Sequence, residues 1–169
     1  IKFVGSEQQV MQRVSKHSLV HDLKGQTLMP GFIDAHGHFP GTALATINVD
    51  INSPPIGNIE NIAQLLQALS KKAEDTAKGD WVIGVGYDDT MLAEKRHPSR
   101  AELDRAVPNR PVFLWHISAH MGVANSAALA LAGIDDKTPD PEGGHFGRNA
   151  DGTLNGFLEE NALEAVQIL

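Results

Sequence analysis

The stretch Phe-Ile-Asp-Ala-His-Gly-His-Phe at residues 32–39 sets the first expectation about the fold. Its apolar start predicts a buried strand ending in a functional loop, where the side-chain period of two places His36 and His38 on one face. Both imidazoles can then reach one zinc ion at ~2.0–2.1 Å. The alternative is a pair of histidines on a surface loop. Asp34 has the same parity, so it either orients a ligand histidine or accepts backbone hydrogen bonds at the strand end.

Outward from this stretch, strand patterns alternate with helix patterns. Residues 1–30 favour short strands and turns, with a short helix near residues 8–15. Further along, the pattern predicts in order a helix over 59–77, a strand over 81–87, a helix opened by a Ser99/Glu102 capping box, a strand over 111–117, a helix over 125–131, a loop over 135–153, a strand over 154–158 and a helix from 159. Strands alternating with helices indicate the α/β class.

Composition excludes several classes of protein. The chain has 169 residues, enough for a buried core, and no run of apolar residues long enough for a membrane span. Its net charge of −7 leaves no basic stripe, so nucleic-acid binding is not expected. Cysteine is absent, which rules out disulfides and thiolate chemistry. Any metal site must therefore use carboxylates and the eight histidines.

A second polar group follows the strand predicted over 111–117. It comprises His116, Ser118, His120, Asn125 and Ser126. These side chains either line a pocket together, or one of Ser118 and Asn125 caps the following Ala-rich helix. The remaining histidines have no partner nearby in sequence and are expected to be solvated; they are His17, His21, His97 and His145.

Two adjacent acids, Glu159 and Glu160, end the strand predicted over 154–158. Two histidines and one carboxylate, with water as the fourth ligand, form a known catalytic zinc set. The other interpretation is that these acids start a helix and complement its dipole.

Several segments resemble the amidohydrolase superfamily of metal-dependent hydrolases, in its family 3 branch. The segment at 24–38 resembles the start of that family's barrel. The similarity continues in the family's order over nearly the whole chain, at residues 84–88, 96–100, 103–104, 110–114, 120–129, 141–144 and 151–160. Each segment is short, and the combination is what is specific.

This resemblance implies a (β/α)8 barrel and a small β-sandwich built from both chain ends. Residues 1–30 would form part of the sandwich, and residues 31–169 the first part of the barrel. An inserted α/β segment would span about residues 40–150. A complete barrel takes ~250 residues. We therefore expect this chain to be an N-terminal piece of a longer protein.

The resemblance also implies a metal centre. His36 and His38 would be the metal ligands of the first strand. Glu160 would occupy the position where many relatives carry a carboxylated lysine that bridges two metals, whereas Glu159 is one residue off that pattern. His120 would lie beside the substrate and serve catalysis. The implied cofactor is a divalent metal, zinc in one or two ions.

The implied activity is hydrolysis of a non-peptide C–N bond in a small amide-type substrate by a metal-activated water. The family's two further metal histidines and its general-base aspartate have no counterpart in the chain. The competing hypothesis is a non-catalytic α/β fragment that binds a ligand or partner. Unpaired strand edges of a partial barrel would favour homo-oligomers. A cytoplasmic location is the expectation.

Overall fold

A computed structural model describes residues 1–35 and 43–167 of the chain. They fall into two compact units, residues 1–37 and 38–169. His36 and His38 lie outside the described residues, as does the end of the strand predicted over 32–39.

The first unit contains one short helix, α1 (Glu7–Met11). The hydroxyl of Ser6 accepts from the backbone N–H of Gln9, and the Gln9 side chain accepts from the Ser6 N–H, so a capping box starts the helix. No strand forms within residues 1–35, and Phe32 is 95% exposed. The predicted strands are therefore absent there, because a strand needs a hydrogen-bonded neighbour and no described residue pairs with this segment. The assignment of residues 1–30 to a β-sandwich stays a prediction.

The second unit is built on a six-stranded sheet. Its strands are β1 (Val49–Asp50), β2 (Val82–Tyr87), β3 (Val112–His116), β4 (Met121–Ala124), β5 (Gly144–Arg148) and β6 (Leu154–Glu160). Its helices are α2 (Leu44–Ile47), α3 (Ile62–Asp75), α4 (Arg100–Ala106), α5 (Ser126–Leu131) and α6 (Glu164–Gln167). Among the described residues, no helix is both long enough and apolar enough to cross a membrane.

The strand order is β1-β2-β3-β4-β6-β5. The first three strands are parallel, and the remaining neighbours pair antiparallel. Because β4 is antiparallel to both β3 and β6, β6 runs in the same direction as β3. The carboxyl ends of β1, β2, β3 and β6 consequently lie at the same edge of the sheet.

Helix α3 forms as its sequence pattern predicts. Asn61 caps it by accepting the N–H of Gln64 at 2.9 Å, and its buried stripe is Ile62, Leu65 and Leu69. The stripe packs against the sheet in a core that also contains side chains of β2, β3 and α4. Ser99 and Glu102 form the predicted capping box of α4.

A second core lies on the opposite face of the sheet. Along β3, Val112 and Leu114 belong to the core with α3, whereas Phe113 and Trp115 contact the second core. The second core also contains side chains of α5, β5, β6 and α6. The sheet is thus covered by helices on both faces, which confirms the predicted α/β class.

Strands β4, β5 and β6 all differ from the sequence prediction. Residues 135–153 were expected to be a loop but include β5, and β6 continues to Glu160 where a helix was expected from residue 159. Only residues 117–120 separate β3 from β4. That connection is too short for a parallel crossover, so the chain turns back and the sheet becomes mixed rather than wholly parallel.

Candidate functional site

Polar side chains gather where strands end at the carboxyl edge of the sheet. Asp88 and Asp89 follow β2, His116 is the last residue of β3, and Glu160 is the last residue of β6. Tyr87 is in register with His116, which places the two aspartates directly beyond that pair. Ligand sites of α/β proteins commonly form at such edges.

His116 is held between two neighbouring side chains. Its Nε2 lies 3.1 Å from Oδ1 of Asp89, and its Nδ1 lies 2.8 Å from Oγ of Ser118. The backbone N–H of Ser118 also donates to Nδ1, at 3.1 Å. Because an N–H can only donate, Nδ1 is the acceptor and Nε2–H donates to Asp89. The ring is 8% exposed, so it is both buried and oriented.

Asp88 adds a further carboxylate to this group. Its Oδ1 accepts hydrogen bonds from the hydroxyl of Thr90 at 2.6 Å and from the Thr90 N–H at 2.9 Å. The hydroxyl bond is the main reason why the pKa of Asp88 is lowered, so the group is ionised at neutral pH. Asp88, Asp89 and His116 offer one potential ligand atom each, all within 4.8 Å of one another. Such a set of donors fits a divalent metal ion.

Tyr87 and His97 pack beside the ring of His116. The hydroxyl of Tyr87 shares a hydrogen bond of 3.0 Å with Nδ1 of His97, and the His97 ring lies 4.6 Å from that of Phe157. Burial raises the pKa of the fully buried Tyr87 and lowers the pKa of His97, although the nearby Asp89 opposes the second shift. The expectation that His97 is solvated is wrong, because it packs against these two aromatic rings.

The other three histidines expected to be solvated are exposed. His17 and His21 belong to the first unit, and His145 lies on β5. His145 has a partner in the structure, since its Nδ1 lies 2.9 Å from Oδ2 of Asp140. The interaction links two exposed side chains.

His120 and Glu160 are brought together, 40 residues apart in sequence. Nδ1 of His120 lies 3.1 Å from Oε2 of Glu160, and the backbone N–H of Glu160 donates to the carbonyl of His120 at 2.9 Å. Both side chains are more than half exposed. Glu160 has a φ of +50°, an uncommon backbone conformation for a residue other than glycine. The pair faces solvent in the described structure.

Glu159 and Glu160 belong to a strand rather than a helix. Glu159 is in register with Met121 of β4 and His145 of β5, and α6 begins only at Glu164. The interpretation of these acids as the start of a helix is therefore wrong. Glu159 is half-buried, and its charge favours the protonated form of His97.

The second polar group of the sequence does not form one pocket. Strand β4 carries Asn125 and Ser126 to the opposite edge of the sheet from His116 and His120. There the fully buried Asn125 accepts the Ala128 N–H at 3.0 Å and caps α5, as one interpretation predicted.

The fold and the site together define an α/β protein with groups that could hold a metal ion at the carboxyl edge of its sheet. The chain belongs to the Amidohydrolase family, whose profile matches residues 19–167. The resemblance inferred from short segments of the sequence is therefore confirmed.

Two curated relatives illustrate the match. The chain is 39% identical over 162 residues to an N-substituted formamide deformylase of Arthrobacter pascens, covering 96% of this chain and 29% of that protein. It is 32% identical over 167 residues to a putative amidohydrolase of Bacillus subtilis, covering 98% of this chain and 31% of that protein. The chain thus spans less than a third of the length of either relative.

Two solved structures of metal-dependent hydrolases are also similar to this chain. An uncharacterised metal-dependent hydrolase from Pyrococcus horikoshii matches with a TM-score of 0.53 and 28% identity, over 83% of this chain and 24% of that one. A second, from Pyrococcus furiosus, matches with a TM-score of 0.52 and 26% identity, over 83% and 25% of the two chains. The fold described here is thus similar to part of a metal-dependent hydrolase.

Sequence reasoning missed the roles of three residues near His116. No sequence pattern gave Asp88 or Asp89 a role, and His97 was expected to be solvated. The available signal was the Asp-Asp pair at the end of one predicted strand and the histidine at the end of the next. If these strands are parallel neighbours, their ends meet at the same edge.

Proposed function

We propose that the protein containing this chain hydrolyses a non-peptide C–N bond in a small amide-type substrate with the help of a divalent metal. Membership of the Amidohydrolase family and the similarity to an N-substituted formamide deformylase support the reaction class. The observation that carries the proposal is the approach of His120 to Glu160 at the carboxyl edge of the sheet.

His36, His38 and Glu160 are the residues proposed to hold the metal, with zinc in one or two ions as the cofactor. Glu160 fits this role: Oε2 faces His120, while Oε1 has no hydrogen-bond partner among the described residues. Exposure of more than half of the side chain leaves that oxygen accessible. When bound there, a divalent metal would supply an acidified water as the nucleophile and would polarise the substrate carbonyl.

His120 is proposed to bind the substrate. Its Nδ1 is engaged by Glu160, which orients the imidazole and leaves Nε2 on a ring that is 67% exposed. Because Nδ1–H donates to the Glu160 carboxylate, Nε2 carries a proton only in the imidazolium form. In that form Nε2–H would donate to the carbonyl oxygen of an amide and to the negative charge that develops there during attack. Glu160 would therefore serve both the metal and the orientation of His120.

For the whole protein, we propose that residues from 31 onward begin a (β/α)8 barrel. The six-stranded sheet lies largely within the segment of about residues 40–150 expected to be an insertion, and β6 follows that segment. The carboxyl edge of the sheet would then face the ligand end of the barrel, where active sites of this architecture form.

The test is metal content and hydrolysis of N-alkylformamides by the protein and by variants. We expect the zinc content to fall by about one ion per chain in a His36→Ala/His38→Ala variant and to be reduced in Glu160→Gln. The exposed Glu142 is the matched control, and Glu142→Gln should keep its metal. His120→Gln should keep the metal but lose about 10²-fold in kcat. Full metal and full activity in both Glu160→Gln and His120→Gln would refute the assignment.

A further inference from the structure

Asp88, Asp89 and His116 are held by the sheet rather than by a free loop. Strands β2 and β3 are parallel neighbours, and the N–H of Ile117 donates to the carbonyl of Tyr87 at 2.9 Å, which extends their pairing beyond His116. The two aspartates therefore leave the sheet beside a ring that is itself nine-tenths buried. Because these donor atoms are already held in place, they lose little conformational entropy when a cation binds.

The separations suit coordination. The distance of 3.1 Å between Oδ1 of Asp89 and Nε2 of His116 is that of two ligands sharing an edge around a cation with bonds of ~2.1 Å. All three donor atoms lie within 4.8 Å of one another, so small side-chain movements can bring them onto one ion. A cation at Nε2 requires the other tautomer, in which Nδ1–H donates to the Ser118 hydroxyl and the Ser118 N–H loses its contact with the ring.

The charges at this position favour a cation. Two carboxylates lie together, and the ion pairs formed by Asp89 within the described residues are with His97 and His116. Neither aspartate has a lysine or arginine within ion-pair distance in the described part of the chain. An imidazole with two carboxylates is a mixed donor set that suits Mn²⁺ and Zn²⁺ better than Ca²⁺, which prefers oxygen ligands alone.

We infer that Asp88, Asp89 and His116 bind a divalent transition-metal ion, with a ligand set that includes none of His36, His38 and Glu160. Three protein ligands leave coordination positions for water. The inference goes beyond the proposed function and does not depend on it, because its ligands and its test are independent of amide hydrolysis.

The experiment titrates Mn²⁺ into protein that carries His36→Ala, His38→Ala and Glu160→Gln, and follows the free ion by EPR. We expect about one bound Mn²⁺ per chain, displaced by Zn²⁺, with a nitrogen coupling to the bound ion in pulsed EPR. Introducing Asp88→Asn or Asp89→Asn should weaken binding at least about tenfold, since each substitution keeps the shape but removes an anionic ligand.

Asp151 provides the matched control. Its Oδ1 accepts from the Thr153 hydroxyl at 2.6 Å and the Thr153 N–H at 3.0 Å, so it repeats the turn that Asp88 makes with Thr90. Asp151→Asn should leave Mn²⁺ binding unchanged. The inference is overturned if the triple variant binds no Mn²⁺, if Asp88→Asn and Asp89→Asn bind as well as their parent, or if Asp151→Asn weakens binding equally. Because the background variant lacks the proposed hydrolytic ligands, failure here leaves the proposed function intact.

Discussion

Replacing Asn125 with alanine should destabilise the second unit far more than the loss of one helix cap. The Asn125 side chain is fully buried, and its Oδ1 accepts from the N–H groups of Val112 at 2.9 Å and Ala128 at 3.0 Å. Its Nδ2 donates to the carbonyl of Arg110 at 2.8 Å and more weakly to that of Val107 at 3.5 Å. One amide thus links the start of β3, the start of α5 and the end of the α4–β3 connection.

The magnitude follows from the groups that alanine leaves without partners. Two buried N–H donors and one carbonyl lose their hydrogen bonds, and each unsatisfied buried group costs about 1–3 kcal/mol. Taking the low end for each group, and some loss of packing, gives about 3–5 kcal/mol for Asn125→Ala. An ordinary N-cap substitution costs about 1 kcal/mol.

Asn61 supplies the comparison because it is also an asparagine N-cap. Its Oδ1 accepts one hydrogen bond, from Gln64 at 2.9 Å, and the side chain is only partly buried. The assay is urea unfolding followed by circular dichroism, with the free energies of unfolding of both variants measured against the parent. Asn61→Ala should cost about 1 kcal/mol. Equal losses for Asn61→Ala and Asn125→Ala would refute the reasoning, because they would show that the additional buried bonds contribute nothing.

Two further predictions concern acid stability and backbone conformation. The hydrogen bond from Arg96 is the main cause that lowers the pKa of Glu102 from 4.5 to about 2. The stability that this interaction contributes is present above pH 4.5 and lost as the pH falls toward 2. Glu102→Gln should remove about 2 kcal/mol of that acid dependence in urea unfolding between these pH values, and an unchanged pH profile would contradict the assignment. Gly156 has a φ of +95°, and an added Cβ would lie 2.5 Å from the carbonyl oxygen of Ala124, whereas at Gly152, with φ +86°, it would meet nothing within 4 Å. Gly156→Ala should therefore cost about 3 kcal/mol and Gly152→Ala about 1 kcal/mol in the same assay, and similar values for the two would exclude the steric explanation.

The predictions that succeeded depended on local chemistry. The apolar spacing of α3, the capping box of Ser99 with Glu102 and the cap by Asn125 are each specified within a few residues, and all three form. The strands around Val82–Tyr87 and Val112–His116 are continuous apolar runs, which is typical of strands buried on both faces.

The predictions that failed depended on distant partners. Strand β5 contains two glycines and an exposed histidine in Gly144–Arg148, so its sequence resembles a loop, and it is a strand because β6 pairs with it. Phe32 shows the opposite case: its segment has a strand-like sequence but no pairing partner among the described residues. Local composition cannot distinguish these two cases, because the hydrogen bonds that decide them are made by other parts of the chain.

Strand direction explains why the sequence identified residues of the candidate site but not which of them lie close together. Short motifs identified His120 and Glu160 separately, but their proximity follows from β6 running parallel to β3 through the antiparallel β4. The same directions bring Asp89 to His116, because β2 and β3 end at one edge. If β4 ran parallel to β3 while β6 kept its direction, Asn125 and not His120 would lie at the edge that holds Glu160. The four-residue connection between β3 and β4 therefore decides which of the two polar residues lies beside Glu160.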